Sequence, residues 1–112
     1  MLARANRVKT PDDFRQIMRR GRRSGGSLLV THALRGEGGP VRFGFVVGRS
    51  VGNAVVRNRV KRRLRAIASG LLPSVAMGTA VVVRALPPAA DGTSVQLHAE
   101  VHGALSRSGV LN

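Results

Sequence analysis

Six cationic side chains fall within nine consecutive residues: Arg57, Arg59, Lys61, Arg62, Arg63 and Arg65. The chemistry open to such a cluster is phosphate binding. Arginine offers a planar fork that pairs with oxygens and stacks on bases, and lysine a point charge. No carboxylate occurs from residue 49 to residue 65, so the acids that normally accompany a solvated basic helix at i,i+4 are missing. Like charges crowded on one helix repel, and a polyanion passing alongside relieves that repulsion. Asn53 opens the stretch, where it can cap a helix, contact RNA or a metal, or do both.

Other arrangements lead less far. Hydrolysis by the protein itself needs a carboxylate cluster around a metal or a positioned acid–base pair. The five acids are spread too thinly: Asp12 and Asp13 suit a first helical turn, Glu37 and Asp91 fall in turns, and Glu100 stands alone. His98 and His102, four apart, could present two ligands on one helical face, but a zinc site takes about three or four. No third ligand is evident and there is no cysteine, so the pair reads as surface. Gly36-Glu37-Gly38-Gly39 matches the nucleotide-clamping loop of KH domains. That loop joins helices, whereas this one lies between strands and reads as a turn.

Composition frames the cluster. The 112-residue chain carries 19 basic and five acidic residues, a net charge of +14, and 43% apolar residues, enough for one modest core. Charge is segregated. Residues 1–23 hold eight cations and two acids, residues 49–65 hold seven cations, and from residue 66 onward two of each sign balance. A polyanionic partner is expected from this segregation. The absence of cysteine suits a cytoplasmic location, and no apolar run approaches the ~18 residues of a membrane span. A soluble, unprocessed chain is expected.

The elements that must position the cluster follow from punctuation and periodicity. Thr10-Pro11-Asp12-Asp13 opens a helix by capping, a proline at its first position and acids at its positive end. Phe14, Ile17 and Met18 recur at helical spacing up to Gly21, and Ser24-Gly25-Gly26-Ser27 reads as a flexible connection. Leu28–Leu34 and Val41–Gly48 read as strands joined as a hairpin through residues 35–40, with Phe43, Phe45 and Val47 facing inward. A helix from about Asn53 to Ser69, ended by Gly70, has the apolar stripe Val56, Val60, Leu64, Ile67 and Leu71. The wheel puts Arg57, Arg59, Lys61, Arg62 and Arg65 on its other faces and Arg63 at the border. Thr79–Leu86 is a strand buried on both faces at Val81, Val82 and Val83. Thr93-Ser94-Val95-Gln96 is a capping box before a last helix. The order α-β-β-α-β-α, with room for one more short strand, is a layered α+β domain spanning residues 1–112.

The run Gly52-Asn53-Ala54-Val55-Val56-Arg57-Asn58-Arg59-Val60-Lys61-Arg62 resembles the signature of the bacterial ribonuclease P protein family. Asn6-Arg7-Val8-Lys9, Asp13-Phe14, Gly21, Gly44-Phe45-Val46-Val47 and Gly78-Thr79-Ala80-Val81-Val82-Val83-Arg84 agree in order, so the resemblance covers nearly the whole chain. It implies a compact two-layer α+β sandwich with a mostly four-stranded sheet and a left-handed β-α-β crossover, against the usual hand. It implies a monomeric protein bound to a catalytic RNA subunit through Arg49, Asn53, Arg57, Asn58, Arg59, Lys61, Arg62, Arg63 and Arg65. Phe14, Met18 and His32 would line a cleft for the single-stranded 5′ leader of precursor tRNA. Hydrolysis and its Mg2+ would belong to the RNA subunit and substrate, with no catalytic residue in the protein. Where the family commonly has Ser-Lys-Lys or Ser-Lys-x before Val-Gly-Asn, this chain has Gly48-Arg49-Ser50, which keeps a charge and lacks a hydroxyl. With neither Tyr nor Trp present, stacking in the cleft is expected to be weak. Phe14 reads equally as a cleft aromatic or a core residue.

Two other readings share the composition. A basic ribosomal protein or general RNA chaperone lacks only the signature. A DNA-binding protein would bring a helix-turn-helix or dimerising heptads, and neither pattern is visible.

Overall fold

The most apolar segment of the chain becomes the centre of the sheet. In the computed structural model, which describes residues 2–112, β1 (Arg22–Gly25), β2 (Leu29–Leu34), β3 (Arg42–Val46) and β4 (Ala80–Ala85) form one sheet in the order β1-β2-β4-β3. β4 runs antiparallel to β2 and parallel to β3, and Val82 is flanked by His32 on one side and Gly44 on the other. Val81, Val82 and Val83 are fully buried because both faces of β4 are covered.

Three helices cover it: α1 (Pro11–Arg20), α2 (Ala54–Leu71) and α3 (Ser94–Arg107). Side chains alternate across a strand, so Leu29, Phe43, Val81 and Val83 share one face. They form the main core with Val60 and Leu64 of α2 and Leu97, Val101 and Leu105 of α3. The opposite face carries a smaller cluster in which Ile17, Phe14 and Met18 of α1 meet Val8, Ala80 and Val82. The sandwich thus has its expected two layers, with α1 as a partial third.

Each helix starts on the cap the sequence names. Thr10 Oγ1 accepts from Asp13 N at 3.1 Å, Asn53 Oδ1 from Val56 N at 3.0 Å, and Thr93 and Gln96 make a reciprocal capping box. α2 runs through Gly70 to Leu71 instead of stopping before it.

Two expectations about the sheet are corrected. Strands β2 and β3 are not a hairpin, because β4 inserts between them. A strand apolar on both faces belongs at the centre, and residues 35–41 cross over its start. There Gly78, at φ 83°, donates its N–H to Gly39 O at 2.8 Å, and a Cβ on it would come within 2.6 Å of the Gly38 backbone. The glycines of this loop serve that crossing. Residues Ser24 and Gly25, expected in a flexible connection, end β1, the additional short strand, and Gly26 N donates to Leu29 O at 2.8 Å across the turn. No helix among the described residues is long and apolar enough to cross a membrane.

Candidate nucleic-acid interface

The cations of α2 divide among three surfaces, because its buried stripe takes Val60, Leu64, Ile67, Ala68 and Leu71. On the crest, Asn58, Arg62 and Arg65 are exposed. On the flank towards α3, Arg59 Nη2 donates to Ala90 O at 3.0 Å and Arg63 Nη1 to Gly92 O at 2.6 Å. These two arginines tie the helix to the turn after β4 and are only half exposed. Arg57 is half exposed as well, and the Nε atoms of Arg57 and Arg59 are sheltered without a hydrogen-bond partner. On the third surface, Lys61 and Arg65 border a groove of about 180 Å³, shared with Arg7, Phe14 and Gly44.

The groove connects α2 to α1. Gly44 is buried, and a Cβ on it would stand 2.6 Å from the Phe14 ring and 2.9 Å from Val8, so glycine lets the ring lie directly on β3. Phe14 is half-buried, packs on the smaller cluster and lines the groove. Met18 packs on the same cluster, and His32 faces that side of the sheet next to Val82. Phe14, Met18 and His32 therefore share one side of the sheet, His32 being largely buried at 7% exposure.

Before α2, Arg49 is exposed in the turn where Val51 N donates to Gly48 O and Gly52 N to Arg49 O. A Cβ on Gly52 would lie 2.9 Å from Val56 Cβ, so the signature glycine lets the turn close on the first turn of α2. Asn53, exposed beside it, caps the helix through its side-chain oxygen.

Three cations outside the expected set join these surfaces. Arg7 lines the groove while its guanidinium donates to Leu2 O at 2.9 and 3.1 Å, and Val8 N donates to Phe43 O at 3.0 Å, which docks the opening segment beside β3. Arg23 lies directly opposite His32 in the strand register, and Arg84 opposite Val30. No local pattern places Arg23 or Arg84 beside His32, since only strand pairing brings them there.

The imidazole of His32 is held below its ordinary pKa of 6.5, first because burial disfavours the charged ring and then because Arg23 and Arg84 repel it; the Met18 backbone pulls weakly the other way. As pH falls below 6.5 the unfolded chain takes up this proton before the folded protein does. The stability contributed by neutral His32 is complete above that value and is lost as pH falls through the depressed one. In an NMR titration the His32 resonance is expected to move with a midpoint below the ordinary 6.5. A His32 midpoint at or above that value would contradict this.

Three of the five acids have structural partners. Asp12 pairs with Arg15, Asp13 Oδ2 with Arg42 Nη1 at 3.1 Å, and Glu100 accepts the amides of Leu28 and Leu29 at 3.0–3.1 Å. The His98 and His102 rings stack 6.0 Å apart, and no three His, Cys, Asp or Glu residues among those described converge on a metal position.

A basic α+β domain with a cation-crested helix beside an aromatic groove offers a surface for a polyanionic partner. The family model for ribonuclease P matches residues 2–109. The ribonuclease P protein component of Beutenbergia cavernae is 50% identical over 111 residues, covering 98% of this chain and 93% of that protein. The counterpart from a Nocardioides strain is 47% identical, covering 97% and 96%. The solved RNase P protein of Staphylococcus aureus superposes with a TM-score of 0.84 at 27% identity, covering 97% of this chain and all of that one. The Thermotoga maritima protein, at 24% identity and a TM-score of 0.77, shares the fold. This chain belongs to the ribonuclease P protein family.

Proposed function

We propose that this protein is the RNA-binding subunit of a cytoplasmic ribonuclease P, one copy per RNA, which assists removal of the 5′ leader from precursor tRNA. The observation that carries the reading is the continuity of two surfaces: the cationic crest of α2 and the groove holding Phe14 meet at Lys61 and Arg65. The crest, with Arg49, suits the phosphates of a folded RNA subunit. The groove, with Met18 and His32 on the same side of the sheet, suits a single strand whose backbone follows Lys61, Arg65 and Arg7 while a base rests on Phe14. Arg57, Arg59 and Arg63 contribute charge from more sheltered positions.

Asp12 and Asp13 are engaged by arginines and Glu100 by backbone amides, so these carboxylates do not fit a Mg2+ site. In this reading hydrolysis and Mg2+ belong to the RNA subunit and its substrate. The protein stripped of RNA is expected to leave precursor tRNA intact, and to stimulate cleavage when mixed with its cognate RNA subunit at low Mg2+. Metal-dependent 5′ processing by the protein alone would refute it. The family match favours this reading over the ribosomal-protein and chaperone alternatives.

A further inference from the structure

A second depression, a shallow trough of about 450 Å³, lies between α2 and α3 on the other flank of the cationic helix. Ala66, Ile67 and Gly70 of α2 and Val95 of α3 line it together with Arg63 and His98. Its size falls within the roughly 300–1,000 Å³ of small-ligand sites. Three observations bear on what it takes.

Arg63 is oriented in advance. Its Nη1 donates to Gly92 O at 2.6 Å, which holds the guanidinium at the trough and leaves other N–H groups of the fork for a ligand. Gly70 is an exposed glycine inside a helix, at a position where alanine would favour the helix more. Its φ is not positive, and a Cβ added to it would meet nothing within 4 Å, so neither backbone conformation nor packing requires glycine. The consequence of the missing side chain is an open trough beside Ile67. Val95 is 80% exposed, the most exposed large apolar side chain among the described residues, and His98 adds an aromatic ring stacked on His102.

An oriented arginine, an apolar surface and an imidazole, with no carboxylate in the lining, match the parts of a nucleotide: phosphate on the guanidinium, base on apolar and aromatic surfaces. Arg63 adjoins crest residue Arg62, so RNA lying along α2 reaches the trough without a gap. We propose that the trough receives one unpaired nucleotide of the RNA subunit, its phosphate on Arg63 and its base against Gly70, Val95 and His98. The proposal rests on the RNA-binding role of α2 given above.

The test measures the affinity of the full-length protein for its RNA subunit in four variants. Val95→Asp places a charge in the trough, and Gly70→Leu fills it with a better helix former. Ser106→Asp puts the same charge on exposed α3 surface about three turns away. Arg62→Ala/Arg65→Ala tests the parent reading. Val95→Asp and Gly70→Leu are each expected to weaken binding about tenfold, equivalent to about 1.4 kcal/mol, with the Gly70→Leu melting temperature not lowered. Ser106→Asp should weaken it far less. Val95→Asp and Ser106→Asp with equal affinities, while the arginine pair binds weakly, would sink the trough and leave the parent reading standing. An unaffected arginine pair would sink the parent reading. RNA-subunit affinity unchanged in both trough variants, with either self-association by sedimentation or precursor tRNA binding by the holoenzyme altered, would assign the trough to another occupant and overturn the proposal.

Discussion

Replacing Arg62 and Arg65 together by alanine is expected to weaken binding to the RNA subunit by roughly 30- to 150-fold, the loss of two charge-assisted contacts of about 1–1.5 kcal/mol each. If each side chain meets one phosphate, the log–log salt dependence becomes shallower by about 1.4–1.8 units, taking about 0.7–0.9 per phosphate between single-stranded and duplex character. Both residues are exposed on the crest, so stability should stay within about 0.5 kcal/mol of the parent protein. Filter binding across a salt series, with a urea melt of the free protein, reads both quantities. Unchanged affinity and slope would remove the crest from the interface. Arg59, within the signature, and Arg63, just beyond it, give the useful contrast. Their alanine variants withdraw donors from Ala90 O and Gly92 O, so part of any loss in binding will reflect a loosened turn after β4. A motif scan that includes only those positions would confuse support with contact.

The largest effect on stability is expected at Glu100, far in sequence from every basic cluster. Its carboxylate accepts the amides of Leu28 and Leu29 where β2 begins, and so ties α3 to the β1–β2 turn. Glu100→Ala leaves two part-buried N–H groups without that acceptor, at about 2 kcal/mol. In a domain of this size the melting temperature falls by roughly 8–10 °C. The same contact explains Gly26, where a Cβ would lie 2.2 Å from Glu100 Oε1, so Gly26→Ala must displace the carboxylate and should destabilise in the same direction. Glu100→Ala melting within 2 °C of the parent, an interval well below that estimate, would show that water replaces the carboxylate without penalty. RNA affinity of the folded variant should be nearly normal, which separates this role from the interface.

What the sequence determines by itself is local. Thr10, Asn53 and Thr93 cap helices because their oxygens reach amides three residues on, a relation contained within one turn. The apolar stripe of α2 and the two-sided burial of β4 follow from helical period and from an unbroken run of valines. The basic segment with its signature is equally local, and it carried the family. The tertiary structure decided whatever depends on partners distant along the chain. Strand order is one case: residues 28–48 alternate as a hairpin would, and only the insertion of β4, some thirty residues later, separates β2 from β3. A second is the lone Glu100, whose role depends on amides more than seventy residues away in sequence. A third is the division of labour among the arginines. A helical wheel places Arg59 and Arg62 off the apolar stripe alike, because it records angle about one axis and nothing of neighbouring elements. Packing α3 and the turn after β4 against one flank turns Arg59 and Arg63 into struts. The crest keeps Arg62 and Arg65 in water, and the docked opening segment and α1 bring Phe14 and Arg7 to the same groove as Lys61.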